Sequence, residues 1–207
     1  VVRTIEPIIQ RIFESLHIPT FNSAEVSELA NHKSKTYLAM KNLGIPLLPT
    51  LFIKRSSLPV TAPLPFPFVI KEARGRSGKQ VYLIESMEDY HQTLPKINSK
   101  DLVFQSAKVQ RGKDVRVFVI GKEIIAAVLR SNERDFRANF TLGGDAEVYE
   151  LNVKEREIVE KIINHYSFGL VGIDFLIGED GQFLFNEIED VVGSRILSAT
   201  TNINLLE

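Results

Sequence analysis

The sequence of 207 residues contains no cysteine, which excludes disulfide bonds, thiolate zinc or iron–sulfur sites and a cysteine nucleophile. It also lacks an excess of either charge, because 25 Lys and Arg residues and 26 Asp and Glu residues leave a net charge of −1. No global field therefore favours nucleic acid or an anionic membrane. No apolar run approaches the roughly 18–20 residues that span a bilayer, and the N-terminus has no signal pattern. These absences predict a soluble, cytoplasmic protein without membrane binding, and they give no support for nucleic-acid binding.

Hydrophobic residues make up 44% of the chain, enough to bury a core in one large or two small domains. The spacing of apolar residues predicts amphipathic helices over residues 3–16 and 153–166 and a further helix from about Lys33 to Leu43. Short β-like runs occupy much of the segment 47–130, interrupted by an amphipathic stretch over residues 86–97. This alternation predicts an α+β fold.

The dipeptide Asp180-Gly181 lies between two alternating apolar runs, a pattern that favours a hairpin with a two-residue type I′ turn. In that register, residues whose numbers sum to 361 face each other. Asp174 is then opposite Glu187, and Glu189 lies on the same face. Three carboxylates on one face repel each other unless a cation lies among them, and oxygen ligands alone suit Mg²⁺ or Mn²⁺. A divalent cation site is one interpretation of this hairpin.

The segment 112–121 also alternates, with valines on one face of a predicted strand and two charged residues and a phenylalanine on the other. The valine face carries Val115, Val117 and Val119. The other face carries Asp114, Arg116 and Phe118. A charged residue in mid-strand lies either on a solvated face or in a site. The alternative to the metal site is accordingly an ion pair between Asp174 and an arginine such as Arg116 or Arg195.

A basic, glycine-containing loop follows a predicted strand that ends at Lys71. Gly75 and Gly78 let backbone N–H groups approach an anion, and the neighbouring basic side chains add positive charge. The spacing is neither that of a P-loop nor that of a Rossmann fingerprint, and an ordinary hairpin with a basic tip gives the same pattern. The polar segment 131–146 is a second candidate functional loop, because it is longer than most connections.

In combination and in this order, six segments resemble the ATP-grasp superfamily, specifically its glutathione-synthetase-like branch with the RimK-type glutamate ligases. They are NHKSKTYLAMKNLGIPLLPT, FPFVIKEARGRSGKQV, GKDVRVFVIG, FRANFTLGG, VGIDFLIGEDG and FNEIEDVVGSR. The resemblance spans roughly residues 20–204 and implies an ATP-grasp fold in which two α+β subdomains sandwich ATP. It implies a remnant of an otherwise missing N-terminal α/β subdomain over 1–31, a central subdomain over 32–105 and a C-terminal, metal-binding subdomain over 106–207.

The activity implied by the resemblance is that of an ATP-dependent carboxylate–amine ligase, which forms an amide or peptide-like bond through an acyl phosphate. ATP and Mg²⁺ or Mn²⁺ would be its cofactors. A small-molecule or peptide carboxylate and an amine such as glutamate would be its substrates, and related enzymes are often homo-oligomers. Two alternatives stay open, a nucleotide-binding module without catalysis and an ATP-grasp phosphotransferase.

The same motifs imply roles for individual residues. The ATP phosphates would contact Lys33, Lys71 and the loop that holds Gly75 and Gly78. The adenine and ribose would lie near Gln105, Ser106, Ala107 and Asp114. The transferred phosphoryl group or the acyl phosphate would lie near Arg116, Asn139 and Arg195. The metal ions would be held by Asp174, Glu187 and Glu189, the last of these standing where the family commonly has Asn.

Overall fold

The computed structural model describes residues 2–73, 80–138 and 143–203. Within these ranges the helices are α1 (Pro7–Ser15), α2 (Ala24–Ala30), α3 (Lys33–Asn42), α4 (Met87–Thr93), α5 (Val153–His165) and α6 (Arg195–Thr200). The strands are β1 (Thr50–Lys54), β2 (Phe68–Glu72), β3 (Val81–Ile84), β4 (Asp101–Ser106), β5 (Val109–Ile120), β6 (Glu123–Ser131), β7 (Asp145–Val148), β8 (Leu170–Gly178) and β9 (Phe183–Glu189). Over the same ranges, no helix combines the length and apolarity needed to cross a membrane.

The first sheet has the strand order β1-β4-β2-β3, with antiparallel neighbours. The two-residue period of a strand sends alternate side chains to opposite faces. Phe68 and Phe104 therefore enter a core beneath the sheet, where they pack with Tyr90 of α4. Lys71 and Gln105 line a cavity on the opposite face. The predicted alternation of helix and strand thus forms an α+β layer with one apolar and one polar face.

The second sheet has the order β7-β6-β5-β8-β9. The valine face predicted for β5 is buried in the main core with residues of α2, α3 and α5, and the predicted polar residues Asp114 and Arg116 line the cavity. Asn152 and Glu155 start α5 with a reciprocal capping box, and the side chain of Ser23 caps α2 by accepting a hydrogen bond from the N–H of Val26. These caps fix the helices that support the sheet.

The turn predicted between β8 and β9 was wrong, because the loop has three residues, 179–181. Gly178 accepts a hydrogen bond from the N–H of Gly181 and donates one to the carbonyl of Gln182. Gly181 has φ +82°, whereas a type I′ turn requires a positive φ at Asp180 as well, and His17 is the one non-glycine residue with positive φ in the described chain. The short side chain of Asp180 instead accepts a hydrogen bond from the Gln182 N–H, which stabilises the longer loop.

A β-bulge at Asn186 compensates for this extra loop residue. Next to the turn, Leu176 pairs with Leu184, one residue away from the predicted register. Beyond the bulge, Asp174 pairs with Glu187, as predicted. The bulge also places Asn186 and Glu187 on the same cavity wall although they are adjacent in sequence.

Helix α1 forms within the segment for which a helix was predicted, but its apolar stripe is largely exposed. Ile8, Ile12 and Leu16 are 57, 50 and 62% exposed, whereas Gln10 on the other side is 1% exposed. The hydrophobic period therefore predicted the helix correctly without showing which side packs against the rest of the described chain.

Replacing Gly112 by alanine is expected to lower the free energy of unfolding by about 2 kcal/mol or more, because its φ is +67° and the neighbouring backbone is close. A Cβ atom there would lie 2.1 Å from the carbonyl oxygen of Asn132. Gly112 also exchanges backbone hydrogen bonds with Asn132 and Phe136, so the substitution displaces the segment after β6. Urea unfolding measures the change.

Gly121→Ala is the matched control, because Gly121 has a similar φ of +59° with nothing within 4 Å of the added Cβ. It carries the backbone strain alone, for which we expect about 1–2 kcal/mol. Equal losses in the two variants would show that the close contact at Gly112 is relieved without cost.

Candidate functional site

A cavity of about 680 Å³ lies between the polar face of the second sheet and the outer face of the first. Most of the site residues predicted from the sequence line it, namely Lys33, Lys71, Gln105, Ser106, Ala107, Asp114, Arg116, Asp174, Glu187, Glu189 and Arg195. The predicted site residues Gly75, Gly78 and Asn139 lie outside the described residues. The fold therefore brings together side chains from five strands, from the starts of α3 and α6 and from the segment after β4.

One part of the cavity wall is apolar and is formed by both sheets. It consists of Val69, Val81, Leu83, Ala107, Val109 and Leu176. At the end of β4, the backbone N–H of Ser106 donates a hydrogen bond to the carbonyl of Pro49, and that of Ala107 donates one to the carbonyl of Pro67. A wall of this kind suits the faces of a flat, weakly polar ring.

Lys71 lies where the two sheets meet. Its ammonium group donates hydrogen bonds to Gln105 Oε1 at 2.6 Å and to Asn186 Oδ1 at 3.1 Å. Gln105 belongs to the first sheet and Asn186 to the second. Burial lowers the pKa of Lys71 to about 8, although the charge of Glu187 acts in the opposite direction. A lysine with two neutral partners keeps a positive charge that a bound anion can use.

Arg116 on β5 is held by two carboxylates. Its Nε and one terminal nitrogen donate to the two oxygens of Asp174, each at 2.7 Å, and its other terminal nitrogen lies 2.5 Å from Glu189 Oε2. Gly172 precedes this pair on β8, and a Cβ atom there would lie 3.3 Å from Arg116 Cδ. The ion-pair interpretation of Asp174 is thus confirmed for Arg116, while Arg195 lines the cavity from the first turn of α6.

Arg130 on β6 extends the network in the other direction. It binds both oxygens of Asp114, at 2.6 and 2.7 Å, and also Asp174 Oδ2 at 2.8 Å. Burial raises the pKa of Asp114 to about 6 against the opposing effect of Arg130. Burial acts to raise the pKa of Asp174 as well, but Arg116 and Arg130 outweigh it and hold this pKa below its usual range.

Glu187 and Glu189 complete the acidic side of the cavity. Lys33 lies 3.1 Å from Glu187 Oε2, and its charge lowers the pKa of Glu187. Burial raises the pKa of Glu189. The potential metal ligands on this side are all carboxylate oxygens, which Mg²⁺ and Mn²⁺ prefer.

The predicted metal ligands are neighbours, but protein cations neutralise them in this structure. Both oxygens of Asp174 are bound to guanidinium groups, whereas Glu187 is paired through Oε2 with Lys33 and Glu189 through Oε2 with Arg116. Over the described ranges, no group of three or more His, Cys, Asp or Glu side chains is arranged to hold a metal ion. The carboxylate oxygens suit a hard divalent cation as ligands. Metal binding would require the lysine and arginine side chains to move away from these carboxylates.

Sequence reasoning missed several polar residues of this site, among them Arg130 and Asn186. Arg130 ends a predicted β-like run and was not among the predicted site residues, although it lies opposite Asp114 in the sheet. Asn186 reaches the cavity through the bulge, which breaks the alternation that sequence reasoning used. The predicted loop 131–146 does contribute Phe136, Arg137 and Ala138 to the cavity, but its last two residues belong to β7.

Comparison with known proteins places these observations in a family. The profile of the RimK-like ATP-grasp domain matches residues 32–207. Among curated proteins, an uncharacterized protein of Mycoplasma genitalium, MG012, is 29% identical over 174 residues, which are 83% of this chain and 59% of that protein. A probable alpha-L-glutamate ligase of Citrobacter koseri is 31% identical over 143 residues, 67% of this chain and 47% of that protein. The chain thus spans about half to three-fifths of the length of these relatives.

Solved structures share the fold at lower sequence identity. The D-alanine–D-alanine ligase of Bacillus anthracis complexed with ATP matches with a TM-score of 0.74 and 17% identity, over 92% of this chain and 68% of that one. The ATP-grasp ligase PsnB complexed with a precursor variant, Mg and ADP matches with a TM-score of 0.72 and 17% identity, over 96% of this chain and 62% of that one. These matches agree with the α+β arrangement of two sheets around a cavity.

Proposed function

Because the chain belongs to the RimK-like ATP-grasp domain family, we propose that it is the nucleotide-binding part of an ATP-dependent carboxylate–amine ligase. One observation carries this proposal. The cavity between the two sheets joins an apolar wall suited to a purine with a polar wall that holds Lys33, Lys71, Arg116 and Arg130. A nucleotide needs both, since its base is flat and weakly polar and its phosphates are anionic.

In the proposed orientation, the adenine lies along Val81, Leu83 and Leu176, and the phosphates reach the polar wall. Lys71 binds a phosphate oxygen as a point charge, with Gln105 and Asn186 holding its ammonium group in place. Arg116 and Arg130 are anchored by Asp174, so their guanidinium groups enter the phosphate end preorganised. Fixed positive charge at this end stabilises the negative charge that develops on a transferring phosphoryl group.

The proposed reaction has two steps. An oxygen of the substrate carboxylate attacks the γ-phosphorus, the bond from that phosphorus to the β-γ bridging oxygen breaks, and ADP leaves. The amine nitrogen then attacks the carbonyl carbon of the acyl phosphate, the carbon–oxygen bond to phosphate breaks, and the amine loses a proton. No protein nucleophile is needed, which agrees with the absence of cysteine.

Asp174, Glu187 and Glu189 are the residues that would hold Mg²⁺ or Mn²⁺ in this ligase. When bound, the ion neutralises phosphate charge and polarises the γ-phosphoryl group. For the amine, we propose glutamate as the first compound to test, since the relative from Citrobacter koseri is named as a probable alpha-L-glutamate ligase. Arg3, Arg111 and Arg195 also line the cavity and provide positive charge for an acidic substrate.

Thermal unfolding with Mg²⁺ and ADP tests nucleotide binding. A ligand present at 100 times its Kd and specific for the folded state adds about 2.7 kcal/mol of stability. For a chain of this size that is a rise in Tm of about 5–10 °C. Glu187→Gln should reduce the part of this rise that depends on Mg²⁺, whereas the control Glu157→Gln, on the exposed side of α5, should retain it.

Product assays then distinguish the reaction classes. A ligase releases ADP in the presence of both substrates, and hydroxylamine converts its acyl phosphate to a hydroxamate. Stabilisation by the nucleotide without ADP release would favour a binding module. ADP release with a phosphorylated alcohol and no hydroxamate would favour a phosphotransferase. Absence of any nucleotide effect in the full-length protein would contradict the proposed function.

A further inference from the structure

The cationic and anionic groups of the polar wall are paired with each other. Lys33 binds Glu187, Arg116 binds Asp174 and Glu189, and Arg130 binds Asp114 and Asp174. Together with Lys71 the wall carries as many basic as acidic side chains. These contacts connect the residues that the proposed function assigns to phosphate with those that it assigns to metal. In the described structure, the side chains proposed to bind phosphate therefore form ion pairs with the side chains proposed to bind the metal.

The pairs are shielded from water to different degrees. The Asp174 side chain is 2% exposed and that of Arg116 is 10% exposed, whereas Lys33 and Glu187 are 23 and 43% exposed. Separating a buried pair leaves an uncompensated charge, which is strongly unfavourable. A divalent cation alone would displace Lys33 and Arg116 from these carboxylates and would break the buried ion pairs of Arg116. A nucleotide alone would bring phosphates close to Asp174, Glu187 and Glu189.

We propose that Lys33 and Arg116 occupy the place of the divalent cation in the nucleotide-free protein, so that nucleotide and metal bind cooperatively by an exchange of partners. This inference rests on the proposed function. In this exchange, Lys33 and Arg116 bind phosphate oxygens, and the carboxylates that they release bind the metal ion. Both ligands together replace the broken ion pairs by new ones, whereas either ligand alone does not. By linkage, each ligand raises the affinity for the other by the same factor.

The Lys33–Glu187 pair is the best point at which to test this exchange. It lies at the exposed edge of the wall, so replacing Lys33 leaves the buried arginine pairs intact. Lys33→Gln removes the cation from Glu187 and leaves that carboxylate open to a metal ion. Lys35→Gln is the matched control, because Lys35 lies on the same helix and pairs with Glu28 at the surface.

Mn²⁺ alone is the first probe, with free Mn²⁺ followed by electron paramagnetic resonance in the absence of nucleotide. We expect Lys33→Gln to bind Mn²⁺ about fivefold or more tightly than the unmodified protein, which is at the lower end of typical coupling factors. Lys35→Gln should leave the Mn²⁺ affinity unchanged. Lys33→Met serves as a second variant, and far-UV circular dichroism verifies that each variant is folded.

Calorimetric titration of ADP, with EDTA and with excess Mg²⁺, measures the coupling from the other side. The factor by which Mg²⁺ raises ADP affinity should be smaller in Lys33→Gln than in the unmodified protein or in Lys35→Gln. Formation of MgADP in solution is the same for all three proteins and cancels in this comparison. Equal Mn²⁺ affinities and equal Mg²⁺ factors, with ADP binding intact, would overturn the exchange. Failure of the unmodified protein to bind ADP at all would instead contradict the proposed function.

Discussion

Replacing Arg130 by methionine is expected to lower the free energy of unfolding by about 3–5 kcal/mol, the range for removal of one partner from a buried ion pair. The Arg130 and Asp114 side chains are 6 and 11% exposed, so water does not compensate for the lost partner. Among the described residues, Arg130 provides both hydrogen bonds that Asp114 accepts from a side chain. Asp174 keeps Arg116 in this variant, so the main loss falls on Asp114.

Arg111→Met is the matched control for this variant. Arg111 and Glu85 form an ion pair of the same kind at 2.7 Å, but their side chains are 48 and 54% exposed. Exposed pairs contribute about 0–1 kcal/mol because water and salt screen them. Urea unfolding of both variants compares the same chemistry at two depths. Equal losses would show that burial does not determine the strength of the Arg130 pairs.

The loss caused by Arg130→Met should also depend on pH. The pKa of Asp114 is already raised to about 6 in the presence of Arg130, and removing this cation raises it further. A carboxyl group whose pKa is raised on folding destabilises the protein most at pH values above the folded-state pKa, and this cost decreases with falling pH until it disappears below the unfolded-state pKa. The difference between variant and unmodified protein should therefore be smaller at pH 5 than at pH 8.

The opposition of Asp174 and Glu187 shows both the reach and the limit of sequence reasoning. The prediction of the pair was confirmed although the predicted turn was wrong, because the third loop residue and the bulge at Asn186 shift the register by equal amounts in opposite directions. Turn chemistry is local, so Asp180 and Gly181 predict that a hairpin forms, although they did not predict its loop length. The bulge depends on how β9 pairs with the rest of the sheet, and the residue type of Asn186 does not predict it.

The charged residues of the site illustrate a second limit. Alternation along β5 placed Asp114 and Arg116 on the polar face, and the structure agrees. Which carboxylate each arginine binds depends on β6 and β8, which are distant in sequence and adjacent in the sheet. The sequence therefore predicted the wall, whereas the chain of pairs from Asp114 through Arg130, Asp174 and Arg116 to Glu189 required the fold.

Replacing Lys71 by methionine is expected to weaken ADP binding about 10- to 100-fold, because a hydrogen bond to a charged group contributes about 1.5–3 kcal/mol. Lys71 is the cation that both sheets hold, through Gln105 and Asn186. Methionine keeps most of the volume of the lysine chain and removes the charge. Titration calorimetry at pH 7 measures the loss. Lys54→Met, at the exposed end of β1, is the control and should bind ADP as the unmodified protein does.

The effect of pH separates the charge of Lys71 from its packing. Burial lowers the pKa of Lys71 from 10.5 to about 8, so this lysine loses its proton over a range in which ordinary lysines keep theirs. The protonated form binds phosphate, and the ADP affinity of the unmodified protein should therefore fall as the pH rises from 7 to 9.5. Lys71→Arg, with a side chain that stays charged, should show a weaker dependence on pH.

The stability of the protein should change in the opposite direction over the same range. Between pH 8 and 10.5 the unfolded chain binds a proton at Lys71 that the folded protein has lost, so folding becomes more favourable as the pH rises. The stability of the unmodified protein relative to Lys71→Met should accordingly increase above pH 8 while its ADP affinity decreases. ADP binding near pH 8 to 9 should take up protons, measurable by calorimetry in buffers of different ionisation enthalpy. Binding without proton uptake, together with a pH-independent affinity, would show that Lys71 keeps its charge in the free protein and that burial does not control this site.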